Sequence, residues 1–395
     1  MTSGETLRGG GPRRWLYDPK IRALAAQILT VLAIALFAGW IVHNTVHNLT
    51  VRGIASGFGF LKNPAGFGIL QTLIDYRETD SFARVFVIGL LNTLLVAALG
   101  IVFATVLGFL VGIGRLAENA LIRGLSALYV ETFRNVPPLL QIFFWYFAVL
   151  RAMPSPRQSH EFLGAFFLNI RGLYVPRPIP AEGFAPIVLA LGIALAAVII
   201  LRRWARRRQE LTGEPFPTGR VALLLLIGLP LAARLIFGAP FTWELPQLQG
   251  FNFRGGWVLL PELVALTVAL SLYTAAFIAE TVRAGIQSVP RGQIEAAIAL
   301  GLTPRQRLRL IVLPQAMRVI IPPLTSQYLN LTKNSSLGAA IGYPDLVGLF
   351  AGTVLNQTGQ AIETIAMTMA VYLLISLTIS LVMNWYNRRM ALVER

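Results

Sequence analysis

The residue types that carry most covalent chemistry are scarce in this chain. It has no cysteine, and its three histidines, His43, His47 and His160, form no H-E-x-x-H pair, which argues against a thiolate metal site and a zinc hydrolase. The glycine-rich stretch GFGFLKNPAGFGI lacks the GK[ST] of a phosphate cradle and reads as a loop. No Walker A sequence occurs, so a process driven by ATP would need a second chain to bind it. What remains are isolated polar groups inside apolar runs, each expensive in lipid and therefore expected to face protein or water. Glu131 and Arg134 stand three residues apart, close enough to pair on one helix face. They read either as a pair anchoring the helix at headgroup level or as part of a polar pathway. Lys333 sits in NLTKNSS beside Thr332, Asn334 and Ser335. That cluster either packs against another span or borders a central cavity and meets a carboxylate or ammonium group. Gln141, Asn92 and Tyr273 are single polar residues of the kind that more often bond one helix to another.

The elements that must position these groups are membrane helices. The chain has 395 residues, 55% of them hydrophobic and 13% charged, against roughly 25% charged in an ordinary soluble protein. A spanning helix needs about 20 mostly apolar residues. Eight runs qualify: Ala23–His43, Val85–Ile113, Leu125–Leu150, Ala185–Leu201, Val221–Phe237, Val258–Ile278, Val319–Ile341 and Ile365–Tyr386. Eight spans place both termini on one side, and the arginines concentrate on that side, so both ends are expected in the cytoplasm. The net charge of +16 lies in short clusters at the ends of apolar runs, not on one aromatic-lined face, and excludes a nucleic-acid partner. Lipid is the expected surrounding instead. The expected fold is all-α and polytopic: residues 1–84 hold an anchor helix and an outer loop, 85–150 a first core part, 151–256 an insertion with two short spans and Pro-rich outer segments, and 257–395 a second core part.

Between the sixth and seventh runs lies EAAIALGLTPRQRLRLIVLP. Pro290 can start a helix, Ile294, Ala297 and Ile298 then share a face, and Gly301 permits the left-handed turn that ends it. Thr303, Pro304 and Gln306 follow as a capping box that opens a second helix. Read by periodicity alone, this is a basic helix lying among lipid headgroups.

The order of residues resembles the EAA loop of bacterial ABC-importer permeases: Glu295, Ala296, Ala297, Gly301, Leu313 and Pro314 keep that loop's spacing. The flanking SLYTAAFIAETVRAGIQSVPRGQIEAA, LPQAMRVIIPPLTSQYLNLTKNSSL and YVETFRNVPPLLQIFFWYF are similar to the polar amino acid permease family, and the long form resembles the larger permease subunit of general L-amino acid importers. The resemblance covers about half the chain; the first span and residues 151–256 depart from the short members of the family, so it says little about what those parts do. It implies a permease of broad specificity in the bacterial inner membrane, with no cofactor of its own. ATP and Mg would sit on an ATP-binding subunit dimer; a second homologous permease and a periplasmic amino-acid-binding protein would complete the assembly. It makes the EAA segment a coupling helix, with Ile294, Glu295, Ala296, Ala297, Ile298, Gly301 and Arg305 docking the ATPase. An ion-coupled carrier is the alternative, disfavoured by the few acids in mid-span and the lack of an obvious repeat.

Overall fold

The structure, a computed structural model, describes residues 19–390 except 52, 54 and 55. Arg8, Arg13, Arg14 and Arg395, which supported the placement of the termini, lie outside the described residues. Helix α1 (Pro19–Val51) leaves its apolar stripe uncovered: Leu29, Leu36, Phe37 and Trp40 are all exposed. After a short 3₁₀ turn at Phe58–Lys62, the core opens with α2 (Phe82–Gly114), α3 (Ala120–Asn135) and α4 (Pro138–Phe143), which continues as a π-helical turn to Leu150.

The run expected as one span over Leu125–Leu150 is therefore broken. Pro137 forces Val136 into extended backbone (φ −97°, ψ 126°), and Pro138 takes the first position of a new helix, where its missing N–H costs nothing. Among the described residues seven helices are long and apolar enough to cross a membrane, and Pro138–Leu150 is a shorter apolar segment beside them.

The insertion forms strands β1 (His160–Phe162), β2 (Phe166–Asn169), β3 (Gly172–Val175) and β4 (Arg177–Pro180), then helices α5 (Phe184–Thr212) and α6 (Thr218–Phe237). Strands β5 (Phe241–Glu244), β6 (Gln247–Gln249), β7 (Asn252–Arg254) and β8 (Trp257–Leu259) close it. An antiparallel sheet of order β1-β2-β3-β8 pairs Leu173 with Leu259, just before the core resumes, while β4 pairs with β5 at the foot of the α5–α6 hairpin. The Phe253 ring packs tilted against both Phe167 and Tyr174, with ring centres at 4.6 and 4.9 Å, and gives this region its own aromatic core. These strands, read in the sequence only as Pro-rich outer segments, are the non-helical part of a predominantly helical fold.

The second core part comprises α7 (Pro261–Gln287), α8 (Arg291–Ala299) and α9 (Pro304–Arg307), which runs through a π turn into α10 (Leu313–Asn334). A 3₁₀ turn (Ser335–Ile341) and a π-helical segment (Val347–Val354) then fold back before α11 (Leu355–Thr358) and α12 (Ala361–Met390). The bundle thus has a loop end, bearing α8, and a sheet end.

Helices α2 and α7 make the central contact. Every fourth residue of α2 facing α7 and α10 is small: Gly100, Ala104, Gly108 and Gly112. A Cβ on Gly108 would fall 2.6 Å from Ile278 Cβ, and one on Gly112 would fall 2.7 Å from the Ala279 carbonyl oxygen. Lipid tails are as apolar as leucine, so such helices gain little by hiding apolar surface and instead gain by close backbone approach. Around this seam Val96, Ile142, Leu266, Leu270, Ile320 and Leu331 are buried. A second cluster at the sheet end joins Phe60, Phe82, Ile88, Leu346 and Phe350.

One substitution at two sites tests the seam. Gly108→Ala should lower the stability of the detergent-purified protein by about 1–3 kcal/mol through overpacking. Gly124→Ala, in α3 with nothing within 4 Å of the added carbon, should leave it unchanged or raise it by up to about 1 kcal/mol. Equal melting temperatures for the two variants would contradict the close-approach argument.

Candidate functional site

The loop between α7 and α10 is rigidly built. Glu280, near the end of α7, takes ion pairs from Arg115 at the end of α2 and from Arg283 one turn on, and Arg283 also bonds Gln287. The base of the loop is thereby tied to two core helices. Pro290, extended at ψ 135°, starts α8. At its other end the Leu302 N–H donates to the Ala297 carbonyl (3.1 Å) and the Gly301 N–H to that of Ile298 (2.9 Å), a Schellman turn that needs the left-handed Gly301 (φ 72°). Thr303 follows at once: its N–H donates to Gln306 Oε1 (2.9 Å) and its Oγ1 accepts from the Gln306 N–H (3.4 Å). Both expected caps are present, so the two helices meet at a fixed angle.

The expected docking residues divide between two faces of α8. Ala297 is 2% exposed and half-buried Ile294 packs on the core cluster, so these two hold the helix to its own chain. Glu295, Ala296, Ile298, Gly301 and Arg305 face outward. Leu300, 78% exposed, completes the outward apolar set beside Ile298. Leu300 follows the last helical residue and precedes Gly301, so helical periodicity does not group it with Ile298.

The polar groups of the spans divide as well. Glu131 and Arg134 do not pair: Glu131 is exposed, and the Arg134 guanidinium lies 5.0 Å from the centre of the Phe277 ring. Arg134 borders a cavity of about 260 Å³ near the loop end with Glu280, Pro323 and Gln327. The electron-rich ring of Phe277 and the carboxylate of Glu280 draw the guanidinium toward α7, away from its neighbour on α3. Gln141 borders a cavity of about 280 Å³ with Leu140, Phe144 and Trp145. It is 5% exposed and its Nε2 donates to the carbonyls of Phe133 and Val136, both at 2.9 Å, bridging the break between α3 and α4.

In NLTKNSS, Thr332 and Ser335 are buried and spend their hydroxyls on the carbonyls of Tyr328 (2.9 Å) and Thr332 (2.7 Å), while Asn334 is half-buried. Lys333 alone of the four is exposed, and it opens on a cavity of about 460 Å³ lined by Ser336, Val347, Thr368, Tyr372 and Ser376. The segment after α10 is pinned over this cavity. Asn92 donates through Nδ2 to the carbonyls of Gln71 (3.0 Å) and Pro344 (2.8 Å), and Thr93 Oγ1 accepts from the Leu346 N–H (3.0 Å). Asp345, outside the long spans and fully buried, accepts from the Gly348 N–H at 2.8 Å. Burial pushes its carboxyl up to about 6, against the smaller opposing effect of backbone N–H donors.

A membrane bundle that presents a capped, partly apolar knob at one end and a cation-bordered cavity within it has the layout of a transport component. Residues 215–392 match the family described as binding-protein-dependent transport system inner membrane component. Along nearly its whole length the chain is similar to the amino-acid ABC transporter permease protein YhdX of Escherichia coli (strain K12): 62% identical over 96% of each chain. It is 54% identical to the general L-amino acid transport system permease protein AapQ of Rhizobium johnstonii, over 97% of this chain and 96% of that one. It is 41% identical, over 96% of each, to BztB of Rhodobacter capsulatus, a glutamate/glutamine/aspartate/asparagine transport system permease protein. The chain belongs to the family of amino-acid ABC transporter permeases, and is a multi-pass protein of the inner membrane.

The Asp345 site carries a pH prediction. Its folded pKa, about 6, is above the ordinary 3.8, so the folded state favours the protonated acid. The stability it contributes is full below about pH 4 and is lost as pH rises through about 6, a change on the order of 3 kcal/mol. Asp345→Asn should therefore melt several degrees above the wild type at pH 7.5, with the gap narrowing at pH 5. A gap that is constant or widens toward pH 5 in thermal unfolding would contradict it.

Proposed function

We propose that this chain is one of two homologous permease subunits in an importer of polar L-amino acids of broad specificity. Both its termini lie in the cytoplasm, and an ATP-binding subunit dimer grips α8. A periplasmic binding protein delivers the amino acid to the sheet end. ATP and Mg belong to the partner dimer, and this chain contributes motion and a path. The observation that carries the reading is the outward face of α8: Ile298 and Leu300 remain uncovered beside a turn whose Gly301 and Thr303 caps are both made. A rigid knob with apolar residues and no cover of its own fits a groove in another protein, and exposed Glu295 and Arg305 supply the charges that set register. The small side chain of Ala296 lets the backbone approach the groove wall.

Force applied to α8 passes to the core along two routes: through Glu280 to α2 and α7, and through α9 into α10, which carries Lys333. Lys333 is the reading's contact for the substrate carboxylate, since an ammonium on a flexible stem bordering a cavity attracts an anion as it passes.

Two measurements test the proposal. Ile298→Asp should abolish co-purification of the ATP-binding subunit from membranes, whereas Ala297→Val, on the inward face, should act on the melting temperature of this chain first. Retained co-purification with Ile298→Asp refutes the docking face. In proteoliposomes of the complete complex, Lys333→Met should reduce uptake at least about tenfold, the equivalent of roughly 1.4 kcal/mol; uptake within twofold of wild type removes Lys333 from the path.

A further inference from the structure

A separate cavity of about 270 Å³ opens at the sheet end. Its walls come from three places: Phe67 and Leu70 of the loop before α2, Leu260 and Glu262 at the start of α7, and Tyr343 and Leu349 of the segment after α10. Glu262 is the one charged residue among its lining. The carboxylate is fixed in place: Oε1 accepts from the Tyr146 hydroxyl at 2.7 Å, and that hydroxyl accepts in turn from Arg151 at 3.0 Å. Arg151 lies 5.2 Å from the Tyr146 ring centre and is outside the cavity lining, and it makes no ion pair with Glu262, the phenol standing between them. Among the described residues none donates to Oε2. An oriented carboxylate on an otherwise mostly apolar wall, beside the rings of Phe67 and Tyr343, attracts a compact cation. The space suits one small molecule, given that a water takes about 30 Å³.

The cavity shares a wall with the one at Lys333. Ala339 and Gly348 border the Glu262 side, while Ser336 and Val347, three residues and one residue away, border the Lys333 side. The turn held by Asn92, Thr93 and Asp345 is the partition between them. One side of it presents an anion, the other a cation.

We infer that the Glu262 cavity is a reception site that binds the α-ammonium group of an incoming L-amino acid before its carboxylate meets Lys333 beyond the partition. This rests on the importer reading above and adds a site and an order of contacts to it.

The test uses the complete complex in proteoliposomes with ATP and its loaded binding protein, comparing variants that assemble at wild-type stoichiometry. Glu262→Gln should lower maximal uptake at least about tenfold, Glu262→Asp should keep a third or more, and Leu349→Trp, which fills the cavity without touching the carboxylate, should lose as much as Glu262→Gln. Tyr146→Phe removes the hydroxyl and keeps the charge, so its loss should stay within about threefold. Uptake by Glu262→Gln within twofold of wild type overturns the inference. So does a Tyr146→Phe loss equal to that of Glu262→Gln, because the network rather than the free carboxylate oxygen would then matter. Either result leaves the importer reading standing. A wild-type complex that couples no uptake to ATP hydrolysis would bring down the importer reading, and this site with it.

Discussion

Close approach of α2 and α7 is the constraint on which the other features depend. With the α2 glycines seated on Ile278, Ala279 and Val282, the register of the two helices is fixed to within a side chain. That register brings Arg115 to Glu280 at the loop end. At the sheet end it places Gly89 beneath the backbone of Leu346, where an added Cβ would lie 2.9 Å from the Leu346 Cα. The base of the α7–α10 loop and the partition between the two cavities are thus held by opposite ends of one helix. A shift of α2 along α7 would have to disturb both, which gives a physical route from α8 to the cavities without any wire of intermediate side chains.

Much of this was legible in the residue order, for identifiable reasons. The loop structure around Gly301 and Thr303 could be read residue by residue because caps are local: each bond spans at most five positions, and the residue types that make them are few. Most of the spans were legible from length and apolarity. The break at Val136–Pro138 was also written in the chain, in two adjacent prolines, but an apolar run on both sides hid it from a reading by hydropathy. The segment 342–358 escaped for the opposite reason. It is too short and too glycine-rich to score as a span, and what holds it is distant: Asn92, Thr93 and Tyr372.

The faces of α8 show a further limit. Periodicity correctly grouped Ile294, Ala297 and Ile298 within an arc of the helix, yet that arc straddles the boundary between core and exterior. An amphipathic pattern tells which residues share a side. It does not tell which of those residues the chain itself covers, and on α8 the chain covers Ala297 and leaves Ile298 exposed.

The polar residues of the spans are sorted by a simple inequality between what a side chain can donate and what its own backbone can accept. A threonine or serine has one proton and reaches a carbonyl three or four residues back, so Thr332 and Ser335 are satisfied within α10 and its continuation wherever the helix is placed. Gln141 has two amide protons and a broken helix end beside it, whose free carbonyls match that number. Lys333 has three donors and a charge, which no carbonyl of a regular helix can neutralise, and Glu262 has an oxygen left over after Tyr146 is served. Buried oxygens without a partner also remain on Asn92, Gln141, Thr267 and Ser271, but Lys333 and Glu262 carry charge, and they line cavities on opposite faces of the same partition. A charge is the costlier surplus, because lipid offers nothing to absorb it, so such a group is held where protein or a cavity faces it.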